Sequence, residues 1–367
     1  MTRVQFAGIG LLLVLSVFLQ IDLCKAQTQP APTSVSGDIT ADKTWSGSYL
    51  VTGTIRVKNG ATLTISRGTF VQFGKPAKDE KPFRLIVEDR GTLSASGTRD
   101  KPITFTSRSK ADAAPSNPGD WGGIELEADA LPGVLKCLII EYDDIGNRIF
   151  NNTSVESSIV RFSSGALTTF TPPRQSHHVR TGIYLAGNGS SAVGNYVYSC
   201  TWGIHVNQSR IVGKRQAIVV NSNCIALNSI QPPGLVGGKE FDVPCGIHVH
   251  EAVVTVTNKV IIGNTWGVEI GFTHATLTDN LFVSNDHGFV WFCEPTDNAV
   301  LTTYIQDRNP SYVAFLDSTG FDFMKRSRAA NGTITDTDIP NNKLYTIGCP
   351  WDILKRALDI IMDALPL

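Results

Sequence analysis

Four of the chain's seven histidines lie within or beside short segments that share one pattern: glycine, apolar, variable, apolar. The segments are Gly182-Ile-Tyr-Leu, Gly203-Ile-His-Val, Gly246-Ile-His-Val, Gly267-Val-Glu-Ile and Gly288-Phe-Val-Trp, and Cys224-Ile-Ala-Leu falls in the longest interval. Aligned, their third residues are Tyr184, His205, Ala226, His248, Glu269 and Val290. Their fifth residues are Ala186, Asn207, Asn228, His250, Gly271 and Phe292. The candidate ligand-binding residues are therefore Tyr184, His205, Asn207, Asn228, His248, His250 and Glu269, with Glu251 at the border. Rings, amides and a carboxylate side by side can stack on sugars and hydrogen-bond their hydroxyls. His248 and His250, two apart on a strand, share a side and can hold a metal with Glu269 or His205 as third ligand. A histidine beside Glu269 can also exchange protons. The plainest reading is a row of polar side chains facing water. None of these sets requires a cofactor.

The spacing says what must position them. The glycines recur at intervals of 21, 43, 21 and 21 residues, and Cys224 divides the 43 into 21 and 22. Repeats at a fixed period form a solenoid, whose coils bury apolar surface by stacking on their neighbours. Second and fourth residues are apolar in every copy, so period-two alternation turns them inward and the third and fifth outward. Asn221, Asn264 and Asn285 each lie 18 residues after the start of a copy. Coils stack about 4.8 Å apart, so these amides are expected to bond in a ladder along one turn.

The opening half reads as short strands between glycine and Asp/Asn turns, with alternation in Thr54-Ile-Arg-Val57 and Thr62-Leu-Thr-Ile65. Gly60-Ala-Thr-Leu-Thr-Ile65, Gly68-Thr-Phe-Val71, Gly91-Thr-Leu-Ser-Ala-Ser-Gly-Thr98, Pro102-Ile-Thr-Phe-Thr-Ser107 and Asp120-Trp-Gly-Gly-Ile124 follow in order. In this order they resemble the secreted right-handed parallel β-helix proteins of the pectate-lyase-like solenoid superfamily. With the repeats included, the resemblance runs from about Gly37 to Asn309. It implies an all-β, right-handed, single-stranded parallel β-helix of about 21 residues per coil. It does not imply one function, because members include polysaccharide lyases, hydrolases and adhesins. Asp143-Asp144 and Asp286-His287 only echo the hydrolase pattern, and Lys214, Arg215 and Arg180 match no lyase motif.

Residues 1–26 read as a secretory signal peptide and 27–36 as a polar, Pro-rich leader. The β-helix is expected over 37–310, followed by an irregular segment over 311–367. Within that segment, 351–365 has helical periodicity and is expected to cap the open end. The insertions 110–119, 168–180 and 230–243 are expected as loops. A net charge of −1 gives no basic excess to attract nucleic acid, and no other stretch is long enough to span a membrane. Cys137, Cys200, Cys224, Cys245, Cys293 and Cys349 would be free to pair in an oxidising compartment, with Cys224 and Cys245 close to one coil apart. Sequons stand at Asn151, Asn152, Asn188, Asn207 and Asn331.

These features describe an exported scaffold that contacts an extracellular polysaccharide, or a cell-surface or matrix component, through the His/Tyr/Glu face without catalysis. A polysaccharide lyase or glycoside hydrolase on the same face is the alternative, and a matrix or adhesion protein a second one.

Overall fold

The computed structural model describes residues 31–76, 81–111, 115–144, 147–163, 181–208, 211, 214–228, 244–250, 252–257, 259–264, 266–271, 274–278, 280–283, 287–292 and 343–345. The signal peptide, the loops 168–180 and 230–243, Asn285, Asn331, Cys293, Cys349 and the helix over 351–365 lie outside the described residues. The chain divides into units 1–32 and 33–367.

The second unit is a right-handed parallel β-helix. Each coil lays down three short strands, one on each of three faces, and every strand pairs in parallel with its counterparts in the coils before and after. Face I includes Phe70–Phe73, Ile103–Ser107, Leu138–Glu141, Ile159–Arg161, Tyr196–Tyr198, Cys224–Ala226, Val260–Ile262 and Leu281–Val283. Face II includes Leu85–Val87, Ile124–Leu126, Asn147–Ile149, Thr181–Leu185, Trp202–Asn207, Cys245–His250, Trp266–Gly271 and His287–Phe292. Face III is a nine-stranded sheet from Lys43–Trp45 to His274–Thr278. Ser48–Val57 bends from face I to face II, which joins those two into one 19-stranded sheet.

Inward residues from the three faces make one continuous core: Val57, Leu63, Phe73, Leu93, Phe105 and Leu138 early, Ile183, Ile204, Val220, Ile247 and Val254 later. Each side chain of this size contributes about 1.5–3 kcal/mol when buried, and only against the coils on either side. Trp121 turns inward, stacks on Phe73 with centroids 4.0 Å apart, and donates its indole N–H to the Glu141 carbonyl at 2.9 Å.

Three boundaries differ from the sequence reading. The first strand, Thr33–Ile39, begins inside the segment read as a leader and pairs with Ser48–Val57. Nor does pairing stop at residue 310: Lys343–Tyr345 stacks on Leu281–Val283, so face I continues into the C-terminal segment. The insertion after Ser107 opens with a single helical turn, Arg108–Ala111. Among the described residues, no helix is long and apolar enough to cross a membrane.

The largest correction concerns Cys224. Its segment lies on face I, between Tyr196–Tyr198 and Val260–Ile262, whereas the five glycine-led copies stack on face II. Leu227, expected inside, is half exposed. The 43 residues from Gly203 to Gly246 are therefore one coil enlarged by insertions.

Candidate functional site

Register defines one outward column on face II. Asp38, Arg56, Ile86, Glu125, Arg148, Tyr184, His205, His248, Glu269 and Val290 are successive partners across ten strands. Neighbours sit about 4.8 Å apart, the spacing of hydrogen-bonded strands. Tyr184, His205, His248 and Glu269 fall in consecutive coils, with His205 directly opposite His248 where the sequence reading had placed Ala226 between them. Asn207 and His250 are directly opposed in the parallel column two residues on.

Asn228 is not on this face. It occupies the corner between faces I and II, where its Oδ1 accepts from Cys200 N at 3.0 Å and its Nδ2 donates to Asn264 Oδ1 at 3.0 Å. The internal ladder thus runs through Asn228 and Asn264. Asn221 belongs to a face III strand and accepts from the Ser222 hydroxyl instead. A second ladder, which the sequence reading missed, follows the next corner: Asn195 donates to Asn223 Oδ1 at 2.9 Å, and Asn280 Oδ1 accepts from Lys259 N at 3.2 Å. Lys259 fills one position of that ladder, fully buried, with its Nζ donating to the Thr257 carbonyl at 2.8 Å. Burial pushes its pKa down to about 6.

Outward on this column does not mean exposed. Tyr184 and His205 are fully buried, and Asn207 and Glu269 nearly so, which removes Tyr184 and His205 as open stacking surfaces. His248, His250 and Trp266 remain partly exposed. The rings form a nest: Tyr184 and Trp202 meet His205 edge-on at 4.9 and 5.1 Å, and Trp202 lies flat on His248 at 4.6 Å and 6°. His205 meets His248 edge-on at 4.6 Å. His248 Nδ1 hydrogen-bonds Glu269 at 2.7 Å. Cys245, absent from the sequence candidates, opens the same strand, and its thiol lies within 4.8 Å of the His248 and Glu269 ligand atoms. Burial, reinforced by the Glu269 carboxylate, pushes the thiol pKa well above its usual range. The signal was present in sequence as the cysteine preceding Gly246, but strict alternation assigns neighbours three apart to opposite sides.

Toward the first coils the column becomes charged, with Asp38 exposed, Arg56 and Arg148 partly exposed, and Ile86 and Glu125 buried. Glu125 bridges Arg84 and Arg148 at 3.3 and 3.4 Å, and Arg56 holds Glu88 at 2.9 Å. Glu127, partly exposed at the end of the same strand, has its pKa pushed up to about 7, first by burial and then by the adjacent Glu125. Among the other sequence candidates, Asp143 is buried and accepts from Ser163 at 3.0 Å, while Lys214 is exposed. Asn151 is buried and donates to the Leu131 carbonyl at 3.1 Å, so it and Asn207 are poor glycan acceptors, whereas Asn152 is exposed. The four described cysteines are free thiols. Cys224 and Cys245 pair with different strands, on faces I and II, and are not neighbours in one column.

Residues 37–131 match the family model of the pectate-lyase-like beta helix domain. This is the segment whose motifs carry the resemblance, which is thereby shown for the opening coils. Among solved structures, a mutant of the periplasmic alginate epimerase AlgG is similar with a TM-score of 0.35 and 10% identity, over 88% of this chain and 77% of that one. No curated protein matches the chain.

Proposed function

With a pectate-lyase-like β-helix as the frame, we propose that the protein is an exported scaffold that binds an extracellular polysaccharide along the outward column of face II, without turning it over. One observation carries this reading: the column is unbroken across ten strands and keeps polar or aromatic side chains at most of its positions. A regular ladder of donors and rings suits a polymer that repeats along its own length. In its charged half, Arg56 engages Glu88, and Arg84 and Arg148 engage Glu125. Such paired groups can hydrogen-bond sugar hydroxyls. Further along, His248, His250 and Trp266 offer partly exposed rings.

A specific observation favours catalysis as the second reading. Glu127, raised to about 7 beside a Glu125 that two arginines hold, is a pair of carboxyls in contrasting environments. Such pairs divide acid and base roles. The test is a polysaccharide-binding and depolymerisation screen of the full chain, with Arg148→Ala, His248→Ala and Glu127→Gln alongside. Binding that weakens in Arg148→Ala and His248→Ala, with no product released, supports the scaffold. Product release that Glu127→Gln abolishes replaces it with the enzyme, and unchanged binding in all three variants removes the site.

A further inference from the structure

We propose that Cys245, His248 and Glu269 form a binding site for one divalent transition-metal ion of the zinc class. The three ligand atoms lie within 4.8 Å of one another, and all three side chains are buried or nearly so. Zinc takes sulfur at ~2.3 Å and nitrogen or oxygen at ~2.0–2.2 Å, a sphere that fits this spread after small side-chain rotations. The set mixes thiolate, imidazole and carboxylate, which zinc accepts and calcium or magnesium does not.

The fold explains why these residues converge. Cys245 and His248 are three apart on one strand, a spacing that regular alternation would split between the two sides of the sheet. Gly246 stands between them in the strand, where a Cβ would lie 2.6 Å from the Gly267 carbonyl oxygen. The coils pack tightly at that point, and the Cys245 thiol comes within 4.8 Å of the His248 and Glu269 ligand atoms. Glu269 arrives from the next coil, directly opposite His248 in register. The His248 ring is fixed from behind by Trp202, stacked at 4.6 Å, and from the side by His205 at 4.6 Å. A ring held in this way loses little freedom on taking a ligand.

Charge also balances. A dication with one thiolate, one carboxylate and a neutral imidazole is neutral overall, which a buried site favours. As the sulfur–metal bond forms, the S–H bond breaks and its proton leaves to solvent, with no change of oxidation state. Three protein ligands leave a tetrahedral ion one open position. The proposal does not depend on polysaccharide binding, since its readouts use the metal alone.

The experiment loads the full, metal-stripped chain with Co(II) and with Zn(II). The expected result is one ion per chain and a thiolate-to-cobalt charge-transfer absorption. Cys245→Ser should lose that absorption and bind at least ~100-fold more weakly, with Glu269→Gln also weakened. Cys200→Ser, which alters a buried thiol outside this set, should keep both signals. An unchanged cobalt spectrum in Cys245→Ser overturns the proposal. X-ray absorption on the zinc-loaded wild-type chain needs no variant: one sulfur among the ligands supports the site, and a purely nitrogen and oxygen shell refutes it.

Discussion

The coils of residues 37–131 and those of 181–292 have the same three-faced architecture but treat their outer surface differently. In the first, the outward side of face II carries ion pairs, Arg56 with Glu88 and Glu125 with Arg84 and, from the following coil, Arg148. In the second, the same column carries Tyr184, His205, His248 and Glu269, buried or nearly so, and asparagine ladders fill the corners. The early coils resemble a two-state pattern of apolar inside and polar outside. In the later coils Tyr184, His205, Asn207 and Glu269 are buried on the outward side of face II as well, and polar groups persist there through bonding or stacking partners.

The sharpest way to break this comparison is at Lys259, the one charged residue in a ladder position otherwise held by Asn195, Asn223 and Asn280. With a folded pKa of about 6 against an ordinary 10.5, the unfolded chain binds the extra proton throughout the interval between them. Wild-type stability must therefore rise with pH from about 6 towards 10.5. Lys259→Asn should stabilise the chain at pH 7 by on the order of 4 kcal/mol, less whatever the lost stem costs in packing, and the gain should fade near pH 10. Denaturant melts at the two pH values measure it, and a gain independent of pH would rule out a buried neutral amine.

Glycine separates the halves next. At Gly246 an added Cβ meets a carbonyl of the following coil at 2.6 Å, whereas Gly60 has a φ of +73° and open space around it. Gly246→Ala should cost about 3 kcal/mol through forced separation of coils, and Gly60→Ala about 1 kcal/mol through backbone strain alone. Thermal unfolding of the two variants ranks them, and equal losses would mean that the later coils are no more tightly stacked.

The ladder gives the smallest contrast. Asn264→Ala removes the acceptor for both Asn228 N and Asn228 Nδ2 and should cost about 2 kcal/mol. Asn221→Ala, partly exposed and bonded to Ser222, should change stability by less than about 0.5 kcal/mol. The reverse order in urea melts would restore the sequence reading of the ladder.

That misreading has a physical origin. The fold itself was legible, because inward Ile, Leu and Val at period two and coil-start glycines state directly what a solenoid needs. Two insertions then mislead: Cys200 to Asn228 spans 28 residues and Asn228 to Asn264 spans 36, where uninterrupted coils span 21. The excesses, 7 and 15 residues, come within one residue of a full period, so Cys224-Ile-Ala-Leu imitates a copy that is not in the column. Burial of Tyr184 and His205 was illegible for another reason. Alternation tells which side of a strand a residue faces and says nothing of what later packs over that side. Cys245 escaped because strict alternation puts it on the side of the strand opposite His248, although its thiol comes within 4.8 Å of the His248 and Glu269 ligand atoms.

The account turns on which strand follows Trp202–Asn207 on face II, since the column, the rings packed behind the metal ligands and the polysaccharide surface all depend on it. A pair of engineered cysteines tests this. Asn207 and His250 are register partners, and adjacent strands place such Cα atoms about 4.8 Å apart, within disulfide reach. Oxidation of Asn207→Cys/His250→Cys should give a 207–250 crosslink detectable by peptide mass mapping, and Asn207→Cys/Asn228→Cys should give none. A crosslink only in the second pair would put the Cys224 copy back in the column and contradict the account.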